Sequence, residues 1–286
     1  MDKPTILLQL DTDAQPSVFD RVVAVDAGAQ HIFSHGGVTP DVVQGLVHGC
    51  IFTRGPKDLH RTAVFIGGSD LAAGEKILSE VKKHLLPQYG LRVSVMLDSN
   101  GANTTAAAAV RAAAKHLKLK STTALVLGGT GPVGQRVARL LVGQGATVRL
   151  GSRQKARAET VCTTLRAVVQ GAKVEPVAIQ FDVDAAKAFD GVELVVAAGA
   201  AGVVLLPKKV RSACKDLKVA IDLNAVPPAG IEGVEAMDSG QVRDGLACYG
   251  ALGVGGPKMK LHKAAVAALF TRNDLVLDAE EIYALG

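Results

Sequence analysis

Short apolar runs alternate with stretches of helical spacing along most of the chain, the pattern of an α/β protein with parallel sheets. Residues 123–127 are a short run rich in apolar residues that suits a strand buried on both faces. After Pro132, the apolar Val133, Val137, Leu140 and Leu141 recur at helical spacing. A strand is predicted next at 146–150, then a helix at 154–169 and strands at 174–179, 194–197 and 219–223. The first third predicts strands at 6–10, 31–34, 50–53, 62–66 and 91–97. Between them fall a helix carrying Val18, Phe19, Val22 and Val23, a short one starting at Thr39-Pro40, another over 71–85, and an alanine-rich one ending near His116. The chain closes with a helix to about Phe270 and a last one opened by Asp278 and an acidic first turn.

The turn after 123–127 carries Gly129, Gly131 and Gly134 in the spacing G-x-G-x-x-G, with Thr130, Pro132 and Val133 between them. Strand, glycine turn and helix start come in the order that a dinucleotide site needs. The glycines permit a tight turn, close approach to a pyrophosphate and close helix packing, and the helix start offers N–H groups to phosphate. The expected architecture is two α/β domains with a cleft between them, the second a Rossmann-like dinucleotide-binding domain with a parallel sheet. The first spans 1–116, completed by 260–286, and the second spans 117–259.

An NAD site carries Asp or Glu about 20 residues after the glycine turn, at the end of the second strand. Here the chain reads Gly151-Ser152-Arg153-Gln154-Lys155. Ser152 can hydrogen-bond a 2′-phosphate and Arg153 can pair with it, so the expected cofactor is NADP, with NAD the weaker alternative. The small-residue stretch Ala198-Gly199-Ala200 follows a strand and can lie flat against a nicotinamide or ribose, or simply make a tight turn. Asn224 ends the 219–223 strand, and Pro227-Pro228 bars a regular helix there.

Three strands of the first domain end in polar clusters: 11–13, 69–70 and 98–105, holding Asp13, Asp98, Asn100, Gly101, Asn103 and Thr104. Each cluster alone suits a helix cap. On one rim of a parallel sheet they form a binding site, because ligands bind outside the carboxyl ends of strands. Late in the chain, the glycine-rich segment 249–257 precedes Lys258, Lys260 and His262. The sequence predicts a loop there that approaches a ligand closely.

Bulk properties narrow the class. Hydrophobic residues make up 48% of the 286 residues, enough for a sizeable core. With no Trp and 3% aromatics, a base-stacking nucleic-acid surface is not expected, and the net charge of +5 suits an anionic small molecule. Cys50, Cys162, Cys214 and Cys248 are scattered, with no C-x-x-C and no zinc spacing, which points to a reducing cytoplasm and no metal site. The N-terminus reads as lacking a signal peptide, and the longest uncharged apolar run, 194–206, is too short to span a membrane.

A nicotinamide enzyme acting on an alcohol must also remove a proton, yet no Tyr-x-x-x-Lys and no His/Asp pairing is evident. Oxidation of an N–CH2–N carbon needs no such base, because a hydride leaves and a stabilised cation remains. The chain resembles the NADP-dependent methylene-tetrahydromethanopterin dehydrogenases of bacterial one-carbon metabolism, on residues 9–20, 96–106, 129–134, 224–228, 250–262 and 278–283. The resemblance implies reversible hydride transfer from methylene-tetrahydromethanopterin to NADP, with the reduced pterin in the cleft. It also implies that Phe19, Lys258 and His262 stand beside the pterin as the catalytic set, and a homotrimer. The polar rim, with Asp13, Ser17, Asp98, Asn100, Gly101, Asn103 and Thr104, is expected to bind the pterin. The alternatives are a methylene-tetrahydrofolate dehydrogenase, a shikimate-dehydrogenase-like enzyme and an NADP-sensing regulator.

Overall fold

The computed structural model describes residues 3–179 and 188–286, and the chain divides into two compact units. Unit 1 comprises Met1–Thr104 and Met259–Gly286, and unit 2 comprises Thr105–Lys258. The boundaries fall inside two helices, where the sequence reading placed them after His116 and after residue 259.

Unit 1 is built from β1 (Ile6–Asp11), α1 (Val18–Asp26), β2 (His31–His35), α2 (Val43–Ile51), β3 (Thr62–Gly67), α3 (Leu71–His84), β4 (Ser94–Leu97) and the start of α4 (Ala102–Ala114). Its strands pair in parallel, and a strand near the C-terminus completes the order β2-β1-β3-β4 on the β4 side. The central strands are buried on both faces, as parallel sheets require. On one face Leu8, Leu10, Val64, Ile66, Val95 and Leu97 pack with Val43, Val47 and Ile51 of α2 and Ile77 and Val81 of α3. The alternating side chains of β3, Phe65 among them, point to the other face.

The strand expected at 50–53 does not form. Cys50 and Ile51 end α2, because Val43, Val47, Cys50 and Ile51 recur at helical spacing and all four are buried. A short apolar run, Cys50 to Phe52, fits either element, and packing against α3 decided it.

Unit 2 contains the end of α4, then β5 (Thr123–Leu127), α5 (Pro132–Gly143), β6 (Thr147–Ser152), α6 (Lys155–Val168), β7 (Lys173–Ala178), β8 (Leu194–Ala197), α7 (Lys208–Ala213), β9 (Val219–Asp222), β10 (Ser239–Arg243) and β11 (Leu246–Tyr249). The sheet order is β10-β11-β9-β8-β5-β6-β7, with only β10 antiparallel to its neighbour. Read from β7 to β11, this is the 3-2-1-4-5-6 order of the doubly wound dinucleotide fold. The β10–β11 hairpin was not foreseen, although its turn, Asp244-Gly245, is a recognised hairpin signal.

Helix α8 (Ala251–Ala268) carries the chain out of unit 2, and β12 (Val276–Leu277) and α9 (Ala279–Ala284) close unit 1. Asp278 and Glu281 form a reciprocal capping box at α9, as the sequence predicted. Among the described residues, no helix is long and apolar enough to cross a membrane.

Candidate dinucleotide and pterin sites

In unit 2 the chain reverses direction across the sheet between β5 and β8, so the crevice at their carboxyl ends is the topological switch point. The β5–α5 turn and the β8 end meet there. Gly128 has φ +69, and a Cβ on it would collide with the backbone of Gly199. The left-handed residue of the turn is therefore Gly128, one position before the glycine the sequence singled out. Gly129 donates to Gly151 O at 3.0 Å, and a Cβ there would strike Leu150. A Cβ on Gly134 would stand 2.6 Å from Gly128 O, so a side chain there would push α5 off the turn.

Gly131 caps α5 in an extended conformation, and no side chain caps the helix. A Cβ on Gly131 would meet nothing nearer than Gly128 O at 3.4 Å. Packing does not demand a glycine here; access to the helix start does. Pro132 occupies the first helical position, where its missing N–H costs nothing, and the following N–H groups have no carbonyl before them within the helix. Gln135 Nε2 donates to Thr130 O at 2.9 Å and steadies the turn. These features fit a pyrophosphate.

Ser152 ends β6, and its Oγ accepts from Gln154 N at 3.2 Å. Arg153, Lys155 and Arg157 follow, all exposed, with no acid at the strand end. This edge fits a 2′-phosphate. At the far side of the crevice, Asp222 ends β9, and its buried carboxylate accepts from Asn224 N at 3.0 Å and Ile231 N at 3.1 Å. Burial raises its pKa, against the backbone amides that favour the charged form. The Asn224 side chain accepts from Val226 N and donates to Pro228 O, so it folds the Pro227-Pro228 turn, whose peptide bond is cis. A cavity of about 220 Å³ lies beside it, lined by Asp222, Asn224, Pro227, Glu235 and Gly250. Ala198, Gly199 and Ala200 bend away from β8, with Ala200 exposed.

The glycine-rich segment before Lys258 is helical, where the sequence predicted a loop. Helix α8 runs from Ala251 and contains Pro257. Its glycines serve packing first: a Cβ on Gly250 or Gly253 would collide with the backbone of residues 235–239. Gly255 and Gly256 face open space. Close helix packing on a neighbouring backbone outweighed the low helix propensity of glycine. Lys258 is half-buried on α8, one turn before His262.

In unit 1 the strand order changes direction between β1 and β3, which puts a second switch point at their carboxyl ends. The three polar clusters stand on this one edge. Asp13 accepts from Ser69 N at 3.0 Å and Ser69 Oγ at 2.8 Å, and Asn100 Nδ2 donates to Ser69 O at 3.1 Å. Buried Asp11 accepts from Asp13 N and Ser17 N, and Ser17 Oγ then accepts from Asp20 N as the cap of α1. Asp98, Asn103 and Thr104 lie inside the fold. Asp98 accepts from Thr104 N and Thr104 Oγ1, and Asn103 Nδ2 donates to Leu97 O and Asp278 Oδ1. Asn100, at φ 60, and Gly101, at φ 57, make the exposed bend above them. Of the residues expected to bind the pterin, Phe19 and Asn100 face solvent most.

His262 is only 1% exposed. Its ring stacks on Phe65 of β3, with centroids 5.7 Å apart and planes 16° apart, and meets Phe19 of α1 at 6.2 Å. Lys263 pairs with Asp26 at 2.7 Å and ties α8 to the end of α1. The sequence did not single out Phe65. Its place in the apolar run of β3 was its only signal.

The switch-point crevice, the glycine turn and the uncapped helix start define a doubly wound dinucleotide-binding fold. The N-terminal family model of methylene-tetrahydromethanopterin dehydrogenase matches residues 18–100. The "Bifunctional protein MdtA" of Methylorubrum extorquens is 46% identical over 98% of this chain and 97% of its own length. The "NAD(P)-dependent methylenetetrahydromethanopterin dehydrogenase" of the same organism is 31% identical over 99% of this chain and 97% of its own length. The chain belongs to the methylene-tetrahydromethanopterin dehydrogenase family. In shape it is similar to the ligand-free 5-ketofructose reductase of Gluconobacter sp. strain CHM43, at TM-score 0.58 and 16% identity over 99% of this chain and 98% of that one, a likeness of fold alone.

Proposed function

We propose that the chain catalyses reversible hydride transfer from methylene-tetrahydromethanopterin to NADP, giving the methenyl compound, within one-carbon metabolism. The observation that carries the cofactor half is the β6 end, where Ser152 and Arg153 stand in place of an acid beneath an uncapped helix start. Full-length membership of the family carries the substrate half.

NADP, when bound, supplies the hydride acceptor. Gly129, Thr130, Gly131, Pro132, Val133 and Gly134 form the turn that receives the pyrophosphate, and Ser152 and Arg153 hold the 2′-phosphate. Ala198, Gly199, Ala200 and Asn224 shape the rest of the crevice. Residues 117–259 serve the cofactor, and residues 1–116 with 260–286 serve the pterin. There Asp13, Ser17, Asn100 and Gly101 form the rim, buried Asp98, Asn103 and Thr104 hold it in shape, and Phe19 presents a ring to the substrate. A cation beside the developing amidinium would oppose oxidation. Lys258 is therefore assigned to a carbonyl or carboxylate of the pterin, where it orients the substrate. No proton leaves the reacting carbon, so the residues position the substrate and need not supply a base. The enzyme works as a cytoplasmic homotrimer in this reading.

The test is NADP reduction with methylene-tetrahydromethanopterin and methylene-tetrahydrofolate side by side, each with NADP and NAD. Preference for the first substrate with NADP is expected. Preference for the folate would make the chain a methylene-tetrahydrofolate dehydrogenase and overturn the substrate assignment.

A further inference from the structure

We infer that His262 and Phe65 are positioning residues that act through Phe19, as the middle and the base of a three-ring column. The inference rests on the pterin reading above. Burial orders the rings: Phe19 is 49% exposed, whereas His262 and Phe65 are each 1% exposed. A planar ligand arriving from solvent therefore meets Phe19 first. The ring of His262 lies 6.2 Å behind Phe19, and Phe65 lies 5.7 Å from His262 in a nearly parallel stack. Both separations lie in the range over which aromatic rings attract; the Phe65–His262 pair is near parallel and the Phe19–His262 pair is tilted by 40°.

Each ring is fixed by a different element. Phe19 sits in the first turn of α1, which is held by the Ser17 cap and the buried carboxylate of Asp11. His262 comes from α8, whose next residue, Lys263, meets Asp26 at the end of α1 in a surface ion pair. Phe65 comes from β3, central in the sheet and unable to shift without moving the core. Gly67, two residues on and on the same face of β3, makes room for the base of the column. A Cβ there would press on Phe65 Cε1 at 3.3 Å and on Asp11 Oδ2 at 3.1 Å. The column thus transmits the rigidity of the sheet to a half-exposed ring on the first turn of a helix. An unsupported Phe19 would keep several rotamers and hold a substrate in several poses, which lowers the rate of a step that depends on alignment.

The experiment compares H262A, H262F and F65L with wild type, and repeats F65L in an F19L background. The readouts are kcat, KM for methylene-tetrahydromethanopterin, NADP affinity, and the ring resonances of Phe19 in protein carrying labelled phenylalanine. H262A should lose about tenfold or more in kcat/KM, and H262F, which keeps the ring without its nitrogens, should recover to within about threefold of wild type. F65L should lose about three- to tenfold alone and almost nothing further in F19L, because the two act through one ring. NADP affinity should not change in any variant, and the Phe19 resonances should shift in F65L and H262A. An H262F enzyme as poor as H262A would mean that the imidazole nitrogens are needed, and the column would be wrong. An F65L loss that persists undiminished in F19L, or Phe19 resonances unmoved in folded F65L, would also overturn it. Where F65L fails to fold, F65M, which keeps much of the volume without the ring, takes its place and must show the same dependence on Phe19. Failure of the functional reading is distinct: wild type would then be inactive with methylene-tetrahydromethanopterin while the Phe19 resonances still responded to F65L.

Discussion

Replacing Gly131 and Gly134 separately by alanine divides the glycine turn into a ligand-facing and a packing position. At Gly134 the added methyl would lie 2.6 Å from Gly128 O and 2.8 Å from Gly129 Cα, both backbone atoms that cannot move without deforming the turn. Overpacking of this kind costs about 1–3 kcal/mol. At roughly 2–4 °C per kcal/mol for a domain of this size, G134A should lower the apparent melting temperature of unit 2 by several degrees. At Gly131 the backbone has φ −78 and ψ 166, open to any residue, and the methyl would find 3.4 Å to its nearest neighbour. The unfolded chain loses entropy worth about 0.4–1 kcal/mol. A poorer cap residue gives back a few tenths of a kcal/mol to about the same amount. G131A should therefore melt within about 1–2 °C of wild type. The same methyl would stand where a pyrophosphate must approach, so NADP should bind at least about tenfold more weakly, or about 1.4 kcal/mol. Scanning calorimetry without ligand and titration calorimetry with NADP measure the two quantities. A G131A protein that binds NADP as wild type does would refute the placement of the pyrophosphate against this residue. A G134A protein as stable as wild type would show that the contact with Gly128 is not the constraint on α5.

Three further outcomes are expected. R153A should weaken NADP by about 1.5–3 kcal/mol, the worth of a charge-assisted contact, and NAD far less; equal losses would show that Arg153 does not read the 2′-phosphate. Burial pushes the Cys50 thiol up to about 12 and the Cys162 thiol up to about 11, so these two should resist iodoacetamide in native protein near pH 8, where on the order of one Cys50 in ten thousand is thiolate. Mass analysis of the peptides carrying Cys50 and Cys162, before and after denaturation, checks this, and rapid native modification of Cys50 would contradict its burial. Asp222 has a folded pKa above the unfolded value of 3.8, so the folded state holds the extra proton and stability falls as pH rises upward from about that value. D222N removes the titration, so its stability relative to wild type should improve from low pH toward neutrality in urea denaturation series, and a trend in the other direction would mean that the amides outweigh burial.

The pattern of apolar runs determined the α/β class, and the spacing of Gly129, Gly131 and Gly134 after a buried strand determined the dinucleotide unit. These are local signals: one strand, one turn and one helix start carry them, and no distant residue can cancel them. The missing acid after β6 was legible for the same reason. The glycines from 250 to 256 were not, because a glycine-rich stretch can be a loop or a closely packed helix. The approach of α8 to the backbone of residues 235–239 decided between them. The strand expected at Cys50 did not form because a run of three apolar residues fits both periods until α3 packs on it. The rim of unit 1 could be foreseen as three clusters, but only parallel pairing of β1, β3 and β4 brought them to one edge. Burial of Asp98, Asn103 and Thr104 then separated the residues that hold the rim from those that face outward. His262 stood in the sequence beside lysines and looked like a group for chemistry. Its place beneath Phe19 and upon Phe65 depends on three elements far apart in the chain, and only their packing could put the imidazole inside the fold.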